Sequence, residues 1–248
     1  MDSTAIFSDR AQEYARYRPS HSEAAIAVIL DGLTSSSQLV AADIGAGTGI
    51  ASRQLGDCGI KVMAVEPNKA MIKAAAYHPL VEFKLGTAEN TTLADNSVDL
   101  VTSFQAFHWF DPLPTLQEFH RILKPNGRLA LVWSMWDESD TFTHELSELV
   151  TNASDTTAKH QNWEFKVGSL PENRYFSKSD RHEFSYRELR NLTDIIGLVE
   201  SQGFIPLSGT KHEQLIDNLK KLYQKWSKNQ AHVSLAYQTE VYLSHSSS

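Results

Sequence analysis

The amino-acid sequence predicts an α/β protein, with a parallel sheet covered by helices on both faces. Three observations carry that expectation. Between residues 39 and 133, short apolar runs alternate with segments of helical period; the run 98–104 reads as a continuously buried strand; and a glycine-rich turn follows the first apolar run directly. The chain has 248 residues, enough for one large α/β domain carrying an elaborated lid and tight for two full domains.

Taken in order, residues 3–17 read as a helix with Phe7, Ala11, Tyr14 and Ala15 along one side, broken at Arg18-Pro19. These aromatics fit either plain core packing or a lid over a ligand. Ser20, His21 and Ser22 are candidate caps for a second helix, Ser20 with Glu23 matching a capping box, and Ala25, Ile26, Ile29 and Leu30 form its stripe up to Gly32. After the glycine turn, residues 50–55 read as a short helix closed by Gly56 or Gly59, and 62–65 as a second strand ending at Glu66. Asn68 caps the next helix, which His78-Pro79 stops, and 81–85 is a third strand. Strand 98–104 runs into Gln105-Ala106-Phe107-His108-Trp109-Phe110-Asp111, a polar and aromatic cluster just past a strand's carboxyl end, where open α/β sheets bind ligands. Pro112 and Pro114 open a helix, and Pro125-Asn126-Gly127 turns the chain into a fifth strand, 129–133. Beyond Met135 the rhythm fails. Residues 136–181 read as a lid or inserted helical segment, 184–186 and 234–243 as strands, and 189–202 and 211–226 as helices.

Composition narrows the function. A net charge of −7 argues against a protein built to grip phosphate backbones, so nucleic acid is not expected as a partner. No apolar run reaches the roughly 18 residues of a spanning helix, no cationic start marks a signal peptide, and a cytoplasmic setting without membrane insertion is expected. The lone Cys58 makes no internal disulfide, and the histidines show no ligand spacing that points to a metal.

The stretch 39–50, Leu-Val-Ala-Ala-Asp-Ile-Gly-Ala-Gly-Thr-Gly-Ile, places glycines at 45, 47 and 49 between a buried strand and a helix. Glycine admits a left-handed turn and close approach of a ligand to the main chain, and the helix start offers unpaired N–H groups. The spacing departs from the dinucleotide fingerprint, because the position three after Gly47 is Ile50 and the third glycine comes early. Asp43 would meet a pyrophosphate unfavourably but suits a ligand with a cationic end. Glu66 lies about 20 residues beyond the turn, at the end of the second strand, where a carboxylate accepts ribose hydroxyls. S-adenosylmethionine, with its ammonium, sulfonium and ribose, meets all three conditions.

Together, Asp43-Ile-Gly45-Ala-Gly47-Thr-Gly49, Val65-Glu66-Pro67, Gly86-Thr-Ala88-Glu89 and Ala106-Phe-His108-Trp-Phe resemble the class I S-adenosylmethionine-dependent methyltransferases. Within them the chain is most similar to the type 11 branch, with its trans-aconitate-methyltransferase-like and ubiquinone-biosynthesis-like enzymes. The resemblance implies a Rossmann-like, seven-stranded, mostly parallel sheet whose last strand is antiparallel. It also implies one domain over 1–248, made of a helical cap (1–34), a cofactor-binding core (38–135), a lid (136–181) and C-terminal helices and strands (182–244). Gly45, Gly47 and Gly49 would lie against the methionine and ribose, and Glu66, followed by Pro67, would hold the ribose hydroxyls. Ala88 and Glu89 would border the adenine, Gln105 would close the site from below, and Asp43 would orient the loop or a water near the ammonium. Tyr14 and Arg18 would come from the cap folded over the cofactor.

Methyl transfer needs an acceptor in line with the sulfonium–methyl bond, so positioning carries much of the acceleration. A base is needed only for an alcohol, phenol or carbon acid. His108 is the candidate catalytic base, with a purely structural brace for Trp109 as the alternative. Trp109, Phe110, Trp133 and Trp136 are candidate walls for the acceptor, with Trp163 a further possibility, and Arg18, Arg174 and Arg181 are candidate grips for a carboxylate. The expected acceptor is a small molecule, reacting at a carboxylate or hydroxyl oxygen of an organic acid or phenol. C-methylation of a quinone-like precursor, and a cofactor-binding regulator without catalysis, are the alternatives.

Overall fold

The computed structural model describes residues 7–33, 38–154, 173–177, 179–228 and 231–247. Its elements are α1 (Ala11–Tyr17), α2 (Glu23–Leu30), β1 (Val40–Ile44), α3 (Ile50–Asp57), β2 (Lys61–Glu66), α4 (Lys69–Ala74), β3 (Val81–Leu85), β4 (Val98–Phe104), α5 (Pro112–Ile122), β5 (Leu123–Trp136), α6 (Thr141–Ala153), β6 (Asp180–Arg190), α7 (Leu192–Glu200), α8 (Thr210–Ser227) and β7 (Val233–His245). The seven strands form one sheet in the order β3-β2-β1-β4-β5-β7-β6. Strands β1 to β5 pair in parallel, and β7 runs antiparallel to both β5 and β6. Among the described residues no helix is long and apolar enough to cross a membrane.

Period-two alternation along the central strands explains the layers. Leu129, Leu131 and Trp133 of β5 pack with α5 residues Leu116, Phe119 and Ile122 on one face, while Ala130 and Val132 pack with Ile26 and Ile29 of α2 and Leu55 of α3 on the other. A third cluster joins α6, α7 and α8 to Leu235 and Tyr237 of β7. The order reverses between β1 and β4, so the carboxyl ends of these two strands open the crevice expected of such a sheet.

Several boundaries differ from expectation, each for a local reason. Helix α2 is capped by Ser22, whose Oγ accepts from Ala25 N–H, rather than by Ser20. The Gln54 amide binds both the N–H and the C=O of His21, which holds that residue outside the helix. Residues 9 and 10 interrupt the first helix, so α1 begins at Ala11. Strand β5 starts at Leu123, six positions before the expected strand, because Leu123 pairs with Val98 and the Pro125-Asn126-Gly127 turn is absorbed as a register shift inside the strand. Leu189 belongs to β6 rather than to the following helix: β6 pairs residue for residue with β7 from Asp180 to Arg190, and the Asn191–Asp194 capping box then starts α7. The irregular segment carries α6; the Trp163 position lies outside the described residues.

Candidate functional site

The turn after β1 is a strand-to-helix passage in which Gly45, Gly47 and Gly49 all take positive φ. At Gly45 a side chain is excluded outright, since a Cβ would stand 2.6 Å from the Ala106 Cβ and 2.9 Å from the Phe110 ring. The loop after β4 therefore closes directly onto the glycine turn. At Gly47 a Cβ would meet only the terminal methyl of Met71, at 3.3 Å, so space remains there for a ligand against the main chain.

Two carboxylates brace this turn from below. Asp43 is fully enclosed and accepts from Ser52 Oγ at 2.6 Å and from Thr102 Oγ1 at 2.9 Å, Thr102 being its paired neighbour on β4. Burial pushes its carboxyl up to about 6, against the opposing pull of these hydroxyls. Glu66, at the end of β2, accepts the N–H groups of Gly47 and Asn68, both at 2.8 Å, and burial raises its carboxyl above the ordinary range. Because β1 and β2 are adjacent and in register, Glu66 reaches the turn from beneath.

Above the turn lies a cavity of about 620 Å³, within the range of small-ligand sites. Asp43, Gly45, Gly47 and Thr48 line one part of it, Tyr14 and Arg18 line the side of the N-terminal helix, and His108, Trp109, Trp133 and Trp136 form an aromatic wall. Thr48 is 1% exposed and its hydroxyl has no hydrogen-bond partner among the described residues. Arg18 stacks over the Tyr14 ring at 4.9 Å, gives one N–H to Ser201 O, and keeps a buried Nε without a partner. Unpaired buried donors are costly unless a ligand completes them.

His108 sits in the short turn Phe107–Trp109 beyond β4. The Trp133 indole donates to its Nδ1 at 3.2 Å, and burial lowers the imidazole to about 4. The neutral ring therefore carries its proton on Nε2, which makes that nitrogen a donor. Gln105 lines the cavity floor at φ 54° and gives its amide to Ser134 O, tying the ends of β4 and β5 together.

Not every residue singled out in the sequence reaches the cavity wall. Ala88 is buried in the core beside α5, and Glu89 is exposed and accepts from the Asp111 N–H. Pro67 is exposed, and Phe110 is occupied against Gly45. Of the three arginines, only Arg18 lines the cavity: Arg181 is engaged by Glu240 at 2.5 Å and by Glu183, and Arg174 lies over Tyr175. The cavity also takes in His21, Ser134, Met135, Leu198, Gln202, Phe204 and Tyr237. The sequence pattern marked none of these as a ligand contact, since they come together only when β5, β7 and α7 close over the turn. His21 stacks on Phe104 at 4.5 Å, and burial lowers its imidazole to about 4.

Known proteins bear on this arrangement. Residues 42–131 match the family described as "Methyltransferase domain". An uncharacterized methyltransferase of Mycobacterium tuberculosis is 34% identical over 204 residues, covering 82% of this chain and 79% of the relative. An uncharacterized methyltransferase-like protein of Schizosaccharomyces pombe is 26% identical over 244 residues, covering 96% of this chain and 94% of its own length. In fold, a structure from Anaeromyxobacter dehalogenans assigned as a type II methyltransferase superposes with a TM-score of 0.66 at 22% identity, over 92% of this chain and 97% of that one.

Proposed function

The chain belongs to the class I S-adenosylmethionine-dependent methyltransferases, and from that premise we propose that it methylates a carboxylate or hydroxyl oxygen of a small organic acid or phenol. The observation that supports this reading is the continuity of one cavity from the glycine turn to the Trp109, Trp133 and Trp136 wall, a single enclosure with room for a donor at one end and an acceptor at the other. The acidic net charge favours an enzyme of small molecules over one acting on nucleic acid.

The residues present suit the methyl donor. Gly47 leaves the main chain open to a ligand while Gly45 and Gly49 give the turn its left-handed bends, the unpartnered Thr48 hydroxyl and the Arg18 Nε await polar atoms, and Asp43 orients the turn for an ammonium. Glu66 stands at the strand end that suits ribose hydroxyls, with Gln105 beneath and Tyr14 closing from the N-terminal helix. When bound, S-adenosylmethionine supplies a methyl group already activated on a sulfonium. The protein's part is to exclude water and to aim the acceptor, which is worth effective molarities of roughly 10⁵ M or more.

His108 has the role of a hydrogen-bond donor through Nε2, orienting the acceptor oxygen, rather than that of a general base. A ring whose Nδ1 already accepts from Trp133, and which burial holds near 4, takes up a proton poorly at neutral pH. An ionised carboxylate needs no base, so this favours the organic acid. Trp109, Trp133 and Trp136 would seat its apolar body.

The test is transfer of tritiated methyl from S-adenosylmethionine to a panel of carboxylic acids, phenols and quinone precursors. Base-labile ester label on acids is expected. Label on ring carbon alone would replace the reading with C-methylation, and tight S-adenosylhomocysteine binding without any transfer would leave a binding protein. Calorimetry showing affinity for NAD but none for S-adenosylhomocysteine would overturn it altogether.

A further inference from the structure

Arg10 lies outside the cavity, yet it fastens two of the cavity's walls, the N-terminal segment and the end of α7, to each other. Its Nη1 donates to Glu200 O at 2.8 Å and to Gln202 O, and its Nη2 donates to Ile205 O at 2.5 Å. These carbonyls lie at and just beyond the C-terminal end of α7, where helical C=O groups lack partners and the helix dipole favours a cation. A planar guanidinium can span such a set, whereas an ammonium is a point donor.

Neighbouring contacts repeat the same fastening. The Tyr17 ring occupies the space over Gly197 of α7, where a Cβ would come within 2.3 Å of it. Arg190 donates to Tyr17 O at 3.1 Å, and Tyr186 OH donates to Ser20 O at 3.1 Å. At its start the segment meets the core through Asn68 Nδ2, which donates to Ser8 Oγ at 3.1 Å, and through the Phe7 ring, edge-on to Trp109. The fastened segment brings Phe7, Tyr14 and Arg18 to the cavity, and the stretch it grips brings Leu198, Gln202 and Phe204.

We propose that Arg10 is a positioning residue: by clamping the carbonyls of Glu200, Gln202 and Ile205 it makes the cover over the methyl donor and the far wall of the acceptor end a single unit, so that filling the donor site orders the acceptor wall. This rests on the methyl-donor reading given above. It assigns to Arg10 no contact with either ligand.

The experiment is amide hydrogen exchange on the full chain with and without S-adenosylhomocysteine. In the wild type the ligand slows exchange at 44–50, at 7–18 and at 198–206, each by about fivefold or more, the last through the clamp. In R10Q, protection at 44–50 stays while the gain at 198–206 is lost. G197A, whose methyl displaces Tyr17, reproduces that loss by an independent route, and R10K, which keeps the charge without the fork, stands in if R10Q melts below the assay temperature. The proposal is overturned if wild-type protection stops at residue 18, or if R10Q or, where it stands in, R10K protects 198–206 as the wild type does. Absence of protection anywhere in the folded wild type would overturn the methyl-donor reading itself, and the clamp with it.

Discussion

Burial governs two titratable groups at the cavity, and it widens the pH range over which each is neutral: upward for the Asp43 carboxyl and downward for the His108 imidazole. For His108 the consequence is kinetic. With its imidazole lowered to about 4, the ring stays neutral from pH 5 to 9, so the pH profile of turnover on a carboxylic acid should show no inflection near 6.5; a base of ordinary imidazole pKa would impose one. His108→Ala should lower turnover by about 100-fold, the scale of losing one aimed donor, with little change in S-adenosylhomocysteine affinity by calorimetry. For Asp43 the consequence is thermodynamic. Its folded value of about 6 lies above the unfolded one, so the folded state binds the extra proton, and the stability this contributes at low pH is lost as pH rises through roughly 4 to 6. Asp43→Asn removes the titration. Measured by denaturant unfolding, the difference between variant and wild type should therefore move in the variant's favour by on the order of 2 kcal/mol from pH 4 to pH 7. A constant difference would mean that Asp43 is not held as described. That Asp43 and His108 stand at the strand ends beside the glycine turn was legible from their places in the chain. That Asp43 is held by Ser52 and Thr102, and that Trp133 sets the tautomer of His108, was not, because those partners arrive from other strands.

The starts of α2, α4, α6 and α7 are set by single polar side chains, Ser22, Asn68, Asp140 and Asn191, and these are the features most open to local reading. Asn68 caps α4 as its position suggests, accepting from Ala70 N–H at 2.9 Å. The Asn191–Asp194 box lies in a stretch whose apolar residues alone suggested a longer helix, and it cuts that helix short. Asn191→Ala should cost about 1 kcal/mol in denaturant unfolding, the ordinary worth of such a cap. Ser20 shows the limit of the same reasoning. Its capping-box spacing is sound, but the side-chain amide of Gln54, 33 residues away from His21, claims the backbone first. Strands were read short for a related cause. Edge strand β6 alternates exposed and half-buried positions and includes charged residues, so its length comes from continuous pairing with β7 rather than from hydrophobicity.

For the molecule as a whole the sharpest expectation concerns ligand linkage. S-adenosylhomocysteine at 100 times its dissociation constant should stabilise the folded protein by about 2.7 kcal/mol, a rise in Tm of about 5–10 °C for a chain of this size, and NAD should give none. Differential scanning fluorimetry checks it, and a shift with NAD alone would contradict the family's chemistry here. The parallel half of the sheet, the glycine turn and the donor class were all readable from the chain, because alternation, glycine conformation and a carboxylate at a strand end are local properties with local physical causes. The far wall of the cavity was readable only in part: Trp109, Trp133 and Trp136 were marked in the chain, and the residues facing them were not. Tyr237, Leu198 and Phe204 meet Trp133 and His108 only because β7 inserts antiparallel between β5 and β6 and brings α7 over the turn. No short-range pattern encodes contacts of that sequence separation; packing makes them, and it also sets the Trp133 indole against His108 Nδ1.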